Sequence, residues 1–230
     1  EWDAKEILVA YGHLPLPIEA LVEGQSLQNL PIDFTVDIKP TSMSMLGAID
    51  YAFNRFQGTF AGYIRAQGTL RSPDVETRVA ITDALFSKQR RGSVAVWLKA
   101  DENSADGGVM FCQEDRPILT GQFDVPVNFN LIELAAGERP LADGTISASL
   151  EGKNVPIKQL FPTAFVDDYI ADPTGYMHVD LELSGTWEKV EASGDFELED
   201  GGVTLVEYGR RFDKINLVSK LSPAGVELAK

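Results

Sequence analysis

In the stretch Pro31 to Lys39, PIDFTVDIK, residues Ile32, Phe34, Val36 and Ile38 fall on one side of an extended chain and Asp33, Thr35 and Asp37 on the other. Successive strand side chains point to opposite faces, so this period of two predicts a sheet with one apolar and one wetted face. The period recurs at Val94, Val96 and Leu98, opposite Ala95 and Lys99. It recurs again at Phe123, Val125, Val127 and Phe129, opposite Asp124, Asn128 and Asn130, and at Ile146, Ala148 and Leu150, opposite Thr145, Ser147 and Ser149. Strands of a parallel α/β sheet are buried on both faces and read as unbroken apolar runs, so the alternation points to antiparallel pairing. The predicted class is mainly β.

Helical signals are few. TSMSMLGAIDYAFNRF, Thr41 to Phe56, opens on capping hydroxyls and spaces Met45, Ile49, Ala52, Phe53 and Phe56 as a helix would. PIKQLFPTAFVDDYI, Pro156 to Ile170, carries Leu160, Phe161, Phe165 and Ile170, with Pro162 set to interrupt it. LPLPIEALV, Leu14 to Val22, and NLIELAAG, Asn130 to Gly137, are each long enough for one or two helical turns. With so little helix to cover it, the sheet must cover itself by closing, sandwiching or folding over.

The chain also repeats itself. GTLRSPDVETRVAITDA, Gly68 to Ala84, and GTWEKVEASGDFELEDG, Gly185 to Gly201, align without a gap. Gly58 pairs with Gly175, Gly68-Thr69-Leu70 with Gly185-Thr186-Trp187, Val79 with Phe196, Ile81 with Leu198, and Asp83 with Asp200. Upstream, Phe60 and Ile64 match Met177 and Leu181. Further on the register slips, yet the pairs Arg90-Arg91 and Arg210-Arg211 are each followed by an alternating strand. The chain therefore reads as a piece, 1–230, of a larger repeat protein, with one unit over about 31–142 and a second over about 143–230. A β unit that is apolar on one face cannot hide it alone, so repetition predicts neighbours sharing one interior. Ile64, Val79 and Ile81 of the first unit and Leu181, Leu183, Phe196 and Leu198 of the second are the candidate lining of that interior. Met177 and Val179 also point inward, and Tyr176, His178, Asp180, Glu182, Asp195, Glu197 and Glu199 form an outward acidic coat.

Signs of chemistry are sparse. A net charge of −15 repels phosphate backbones, which argues against nucleic acid as a partner. The lone Cys112 excludes an internal disulfide, and no apolar run approaches the length of a membrane span. The start at Glu1 and the stop at Lys230 read as those of a fragment. His13, in a Pro-rich loop, and His178, on a polar strand face, belong to no two-histidine motif. DENSADGG, Asp101 to Gly108, begins like a calcium loop but departs at Ala105, places Gly107 one residue late and has Cys112 where a bidentate Glu belongs, so it reads as a turn. Asp167-Asp168 reads as a solvated charge pair. Phosphate-cradling glycine loops, a nucleophile elbow and Cys-x-x-Cys are all lacking, so the expectation is a protein that is not an enzyme, without cofactor or metal.

The pattern Gly-x-apolar-x-x-x-apolar-x-x-x-Gly-Thr-apolar, followed by x-x-Pro-x-Val and an alternating strand ending near Asp-Gly, resembles the repeats of the AsmA-like and TamB-like family. GTLRSPDV, Gly68 to Val75, is the closer match; the second copy has Val190 where the Pro would stand. DGTISASLEGKNVPIKQLFP, Asp143 to Pro162, resembles the family's strand-then-short-helix segment. The resemblance implies an elongated, folded-over sheet, a β-taco-like trough with an apolar interior and one or two short helices. It also implies a full-length protein anchored in the bacterial inner membrane by an N-terminal helix and extending across the periplasm. The function it implies is carriage of phospholipid acyl chains along the groove toward the outer membrane, with another part of the full-length chain meeting an outer-membrane assembly barrel. Two other readings stay open at this point: a chaperone-like factor for outer-membrane protein assembly by β-augmentation, and a closed β-sandwich surface or adhesive module whose apolar residues fill a core.

Overall fold

The computed structural model describes residues 7–13, 27–48, 57–87, 90–114, 116–137, 139–160 and 169–229. Each alternating segment becomes a strand paired with the next one along the chain: β1 (Leu8–His13), β2 (Pro31–Ser42), β3 (Thr59–Thr69), β4 (Pro73–Ser87), β5 (Arg90–Ala100), β6 (Ser104–Gln113), β7 (Arg116–Pro126), β8 (Ile146–Pro156), β9 (Ile170–Gly185), β10 (Val190–Leu205), β11 (Arg210–Ser222) and β12 (Gly225–Ala229). These make one antiparallel sheet of twelve strands in sequence order, with two short helices, α1 (Leu131–Ala135) and α2 (Ile157–Leu160). The fold is mainly β and folded over, as the alternation and the resemblance predict.

The repeat extends to individual hydrogen bonds. In the β3–β4 turn the Thr69 N–H donates to the Ser72 carbonyl at 3.1 Å, and in the β9–β10 turn the Thr186 N–H donates to the Lys189 carbonyl at 3.0 Å. The threonine hydroxyls accept from the Ser72 and Lys189 N–H groups at 3.0 and 3.3 Å. Gly68 and Gly185 precede these turns at φ of 97° and 120°, where an L side chain would be strained. Asp83 and Asp200 both sit at positive φ, and beside each the register jumps, from Ile81 to Ala84 and from Leu198 to Gly201. Similar jumps occur at Ile38/Thr41 in β2 and Gly152/Val155 in β8. Bulges bend and twist a strand, and these lie at one end of the sheet, forming a fold line across it.

Two further features close the sheet on itself. Helix α2 lies against β4, β8 and β9. A flat sheet would hold β4 and β9 about 24 Å apart, far more than the about 6 Å length of a four-residue helix, so the sheet curls over α2. At the opposite end, residues 127–131 leave β7 and run as a strap across the turns. Val127 and Phe129 donate to the carbonyls of Asn103 and Glu102, the Leu131 N–H donates to that of Leu70, and the Leu70 N–H donates to that of Leu30. The Trp187 indole donates to the Pro126 carbonyl at 3.1 Å, tying the β9–β10 turn to the strap.

Several expectations change. The alternation at Phe123–Phe129 overruns the strand, because β7 ends at Pro126 and only Val127 pairs further, with Leu141. Of the helix expected over Thr41–Phe56, residues 41–42 finish β2, Met43–Ala48 form a 3-10 helix, and 49–56 lie outside the described residues. Only Ile157–Leu160 of the Pro156–Ile170 segment is described as helix, with 161–168 outside the described residues, as is the whole of 14–22. His13 closes β1 rather than lying in a loop.

Candidate functional site

Cross-strand partners share a face, so the registers assign every side chain to one side of the sheet. Val79 stands opposite Val96, Val96 opposite Val109, Gly121 opposite Val109 and Leu150, and Leu150 opposite Leu181. The next row runs from Val36 through Ile64, Thr77, Leu98, Gly107, Phe123 and Ala148 to Leu183. A row nearer the fold line holds Phe60, Ile81, Val94, Phe111, Leu119, Val179 and Phe196, with Leu198 just beyond it beside Met177. All seven residues predicted as lining, Ile64, Val79, Ile81, Leu181, Leu183, Phe196 and Leu198, therefore stand on one apolar face that continues across both copies of the repeat. The one hydroxyl in these middle rows, that of Thr77, donates to the Tyr63 carbonyl at 3.0 Å.

This face is covered at its two ends and open between them. Near the fold line Val155 is 0% exposed and Val179 5%, packed with Leu119, Phe111, Met177 and Phe196. At the strap end Ala100 and Ala105 are buried against Val127 and Phe129. In the middle rows Ile64 is 39%, Val96 46% and Leu183 40% exposed. Large side chains in the centre of a sheet are left hydrated only where nothing lies over them, and among the described residues there is no second sheet. The result is an apolar trough. Toward β1 it deepens into a hollow of 460 Å³ lined by Ala10, Phe34, Ala66, Leu70 and Leu131 of α1.

The opposite face is polar and internally paired. Arg65 reaches Glu76 at 3.7 Å and lies 5.6 Å above the Tyr63 ring. The Tyr63 hydroxyl donates to Glu76, a bond to a carboxylate that pushes the phenol's pKa up. A hollow of 340 Å³ on this side is lined by Trp97, Asp106, Gln122, Asp124 and Ser149. The predicted outward positions of Asp180, Glu182 and Asp195 follow from the same registers.

The other singled-out residues take structural parts. Asp101 accepts from the Asn103 N–H at 2.8 Å, the Ser104 N–H at 2.9 Å and the Ser104 hydroxyl at 3.3 Å, and these donors, led by the two backbone N–H groups, hold its pKa below the ordinary value. Its carboxylate is thus committed to the β5–β6 turn, and Ser104 to Gly108 of the expected turn belong to strand β6. His178 accepts from the Asn154 N–H at 3.4 Å through Nδ1 and lies 3.6 Å from Glu199 through Nε2, bridging three strands on the polar face. Among the described residues no group of three His, Cys, Asp or Glu side chains gathers into a metal-sized cluster, and no helix is long and apolar enough to cross a membrane. Asp167 and Asp168 lie outside the described residues. What the sequence reading missed is the strap: NLIELAAG was legible as a helical turn, but nothing local in it signals that Leu131 docks against the β3–β4 turn. Comparison of the chain with protein-family models, with curated proteins and with solved structures finds no match.

Proposed function

We propose that the chain is a non-enzymatic lipid-conduit segment in which acyl chains travel along the apolar trough. The observation that carries this reading is the hydrated apolar face, continuous from strand to strand and covered only along the fold line and at the strap. Six buried methylenes would gain about 5 kcal/mol from such a surface with no polar partner required. Because neighbouring strands present similar Val, Leu and Phe side chains, each step along the sheet offers a chain much the same energy, which favours sliding over capture. The likeness of GTLRSPDV to AsmA-like and TamB-like repeats supports the same reading. With it come a periplasmic location in an inner-membrane-anchored protein, phospholipid as cargo, and contact with an outer-membrane assembly barrel through another part of the full-length chain.

The test is photocrosslinking in living cells with a benzophenone amino acid at Leu181, and at Glu182 on the opposite face as its pair. Phospholipid adducts at Leu181 alone are the expected result. Adducts at neither position, in a folded and functional protein, would overturn the reading.

A further inference from the structure

The hollow of 340 Å³ on the polar face lies across the middle strands β5 to β8. The registers explain why it is there. Trp97 faces Gly108, Gly108 faces Gln122 and Gln122 faces Ser149, while the adjoining row holds Asp106, Asp124 and Ser147. Gly108 carries no side chain and the two serines are short, so a shallow space opens between taller neighbours. The half-buried Trp97 ring leans over β6, where a Cβ on Gly108 would lie 2.5 Å from the indole Cζ2. Among the described residues it is the one tryptophan on a strand. Elsewhere on this face polar side chains satisfy one another, as Arg65, Glu76 and Tyr63 do, and His178 with Asn154 and Glu199. Those of the hollow do not: among the described residues the side chains of Asp106, Gln122, Asp124, Ser147 and Ser149 make no hydrogen bond or ion pair within the chain. Asp106 and Asp124 stand directly opposite each other, an arrangement that like charges oppose.

We propose that this hollow binds a neutral saccharide, one pyranose ring lying against the Trp97 indole with its hydroxyls taken up by Gln122, Asp124, Ser147 and Ser149. A pyranose is apolar over its C–H face and polar around its rim. It therefore asks for a flat aromatic surface beside a few unengaged donors and acceptors, the combination set out here. Charge narrows the class. The carboxylates of Asp106 and Asp124, with Glu182 facing Ser149, repel phosphorylated or acidic ligands. Arg78 faces Trp97 and Lys99 faces Asp106, so an organic cation approaching the indole meets like charge. Shape narrows it further. The hollow is shallow and sits on a sheet, which suits a flat ribbon of β-1,4-linked rings and not the coiled chain of α-1,4-linked ones. The site lies on the opposite face from the trough, and the proposal is independent of the lipid reading.

The experiment is isothermal titration of the whole chain with cellotriose, chitotriose, maltotriose and, as a cationic probe, choline. Trp97→Ala removes the stacking surface but also uncovers Gly108, so the variants that decide are Gln122→Ala and Asp124→Ala, whose side chains are exposed and without partners among the described residues. The expected result is millimolar or tighter binding of cellotriose or chitotriose, weaker binding of maltotriose and none of choline, with each variant folded by circular dichroism and its affinity lowered by about threefold or more. No binding of either β-linked trisaccharide to the folded chain, binding that both variants leave unchanged, or binding of choline instead would overturn the proposal.

Discussion

Replacing valine by threonine exchanges a methyl for a hydroxyl at nearly constant shape and β-branching, so it reports on hydration and little else. Val179 and Val96 stand on the same face of the sheet, but Val179 is 5% exposed among Leu119, Val155 and Phe196, whereas Val96 is 46% exposed. At Val179 the new hydroxyl is set among the apolar side chains of that cluster. It loses about 0.8 kcal/mol of methyl burial and about 1–3 kcal/mol for an unpartnered buried hydroxyl, so Val179→Thr should cost about 2–4 kcal/mol. At Val96 the hydroxyl reaches water, so the cost should be under about 0.5 kcal/mol. For a chain of this length each kcal/mol moves the melting temperature by about 2–4 °C, and thermal unfolding followed by circular dichroism should show a drop of roughly 4–16 °C for the first variant and about 2 °C or less for the second. Equal losses would mean that the middle rows are as dry as the fold-line row, and the trough would have to be abandoned.

Asp101→Ala removes the acceptor of the β5–β6 turn and should cost about 1 kcal/mol near neutral pH. Because the folded-state pKa is lowered, the stabilisation is complete above the ordinary carboxylate value of 3.8 and is lost as pH falls through the lowered value. The stability gap between variant and parent should therefore close on acidification, and a gap independent of pH would refute the assignment. At the fold line, Asp200 holds φ of 48°, and its N–H donates to the Asn216 side chain at 2.9 Å. Chemical unfolding should find Asp200→Gly within about 0.5 kcal/mol of the parent and Asp200→Val lower by about 2 kcal/mol. Indistinguishable variants would show that the bend does not depend on the left-handed backbone.

Legibility in the sequence followed how local each cause was. The face of Leu181 or Phe196 could be read because a period of two is set by the backbone alone, and the Gly-Thr turns because their hydrogen bonds close within four residues. Even the pairing of Asp83 with Asp200 could be read, though its meaning as a bulge could not, since a bulge is defined only against the partner strand. Gly107 and Gly108 concealed the start of β6, because glycine pairs ordinarily mark turns. Here the Phe123 ring covers Gly107 from the apolar side and the Trp97 indole covers Gly108 from the polar side, so that a Cβ at either would lie within 3 Å of the ring. The strap, the plug of α2 and the exposure of the middle rows rest on contacts between residues far apart in sequence.

The order of the strands bears on how the protein comes apart as well as how it is built. Among the described residues every strand hydrogen-bonds only to its neighbours in sequence, so each pairing closes a local loop and costs little chain entropy. The sheet can assemble hairpin by hairpin as the chain is synthesised, without waiting for a distant partner. A pull on the two ends would open it in the reverse manner, peeling one strand at a time from either margin. The strap and α2, which tie strands that are not neighbours, then become its mechanical locks.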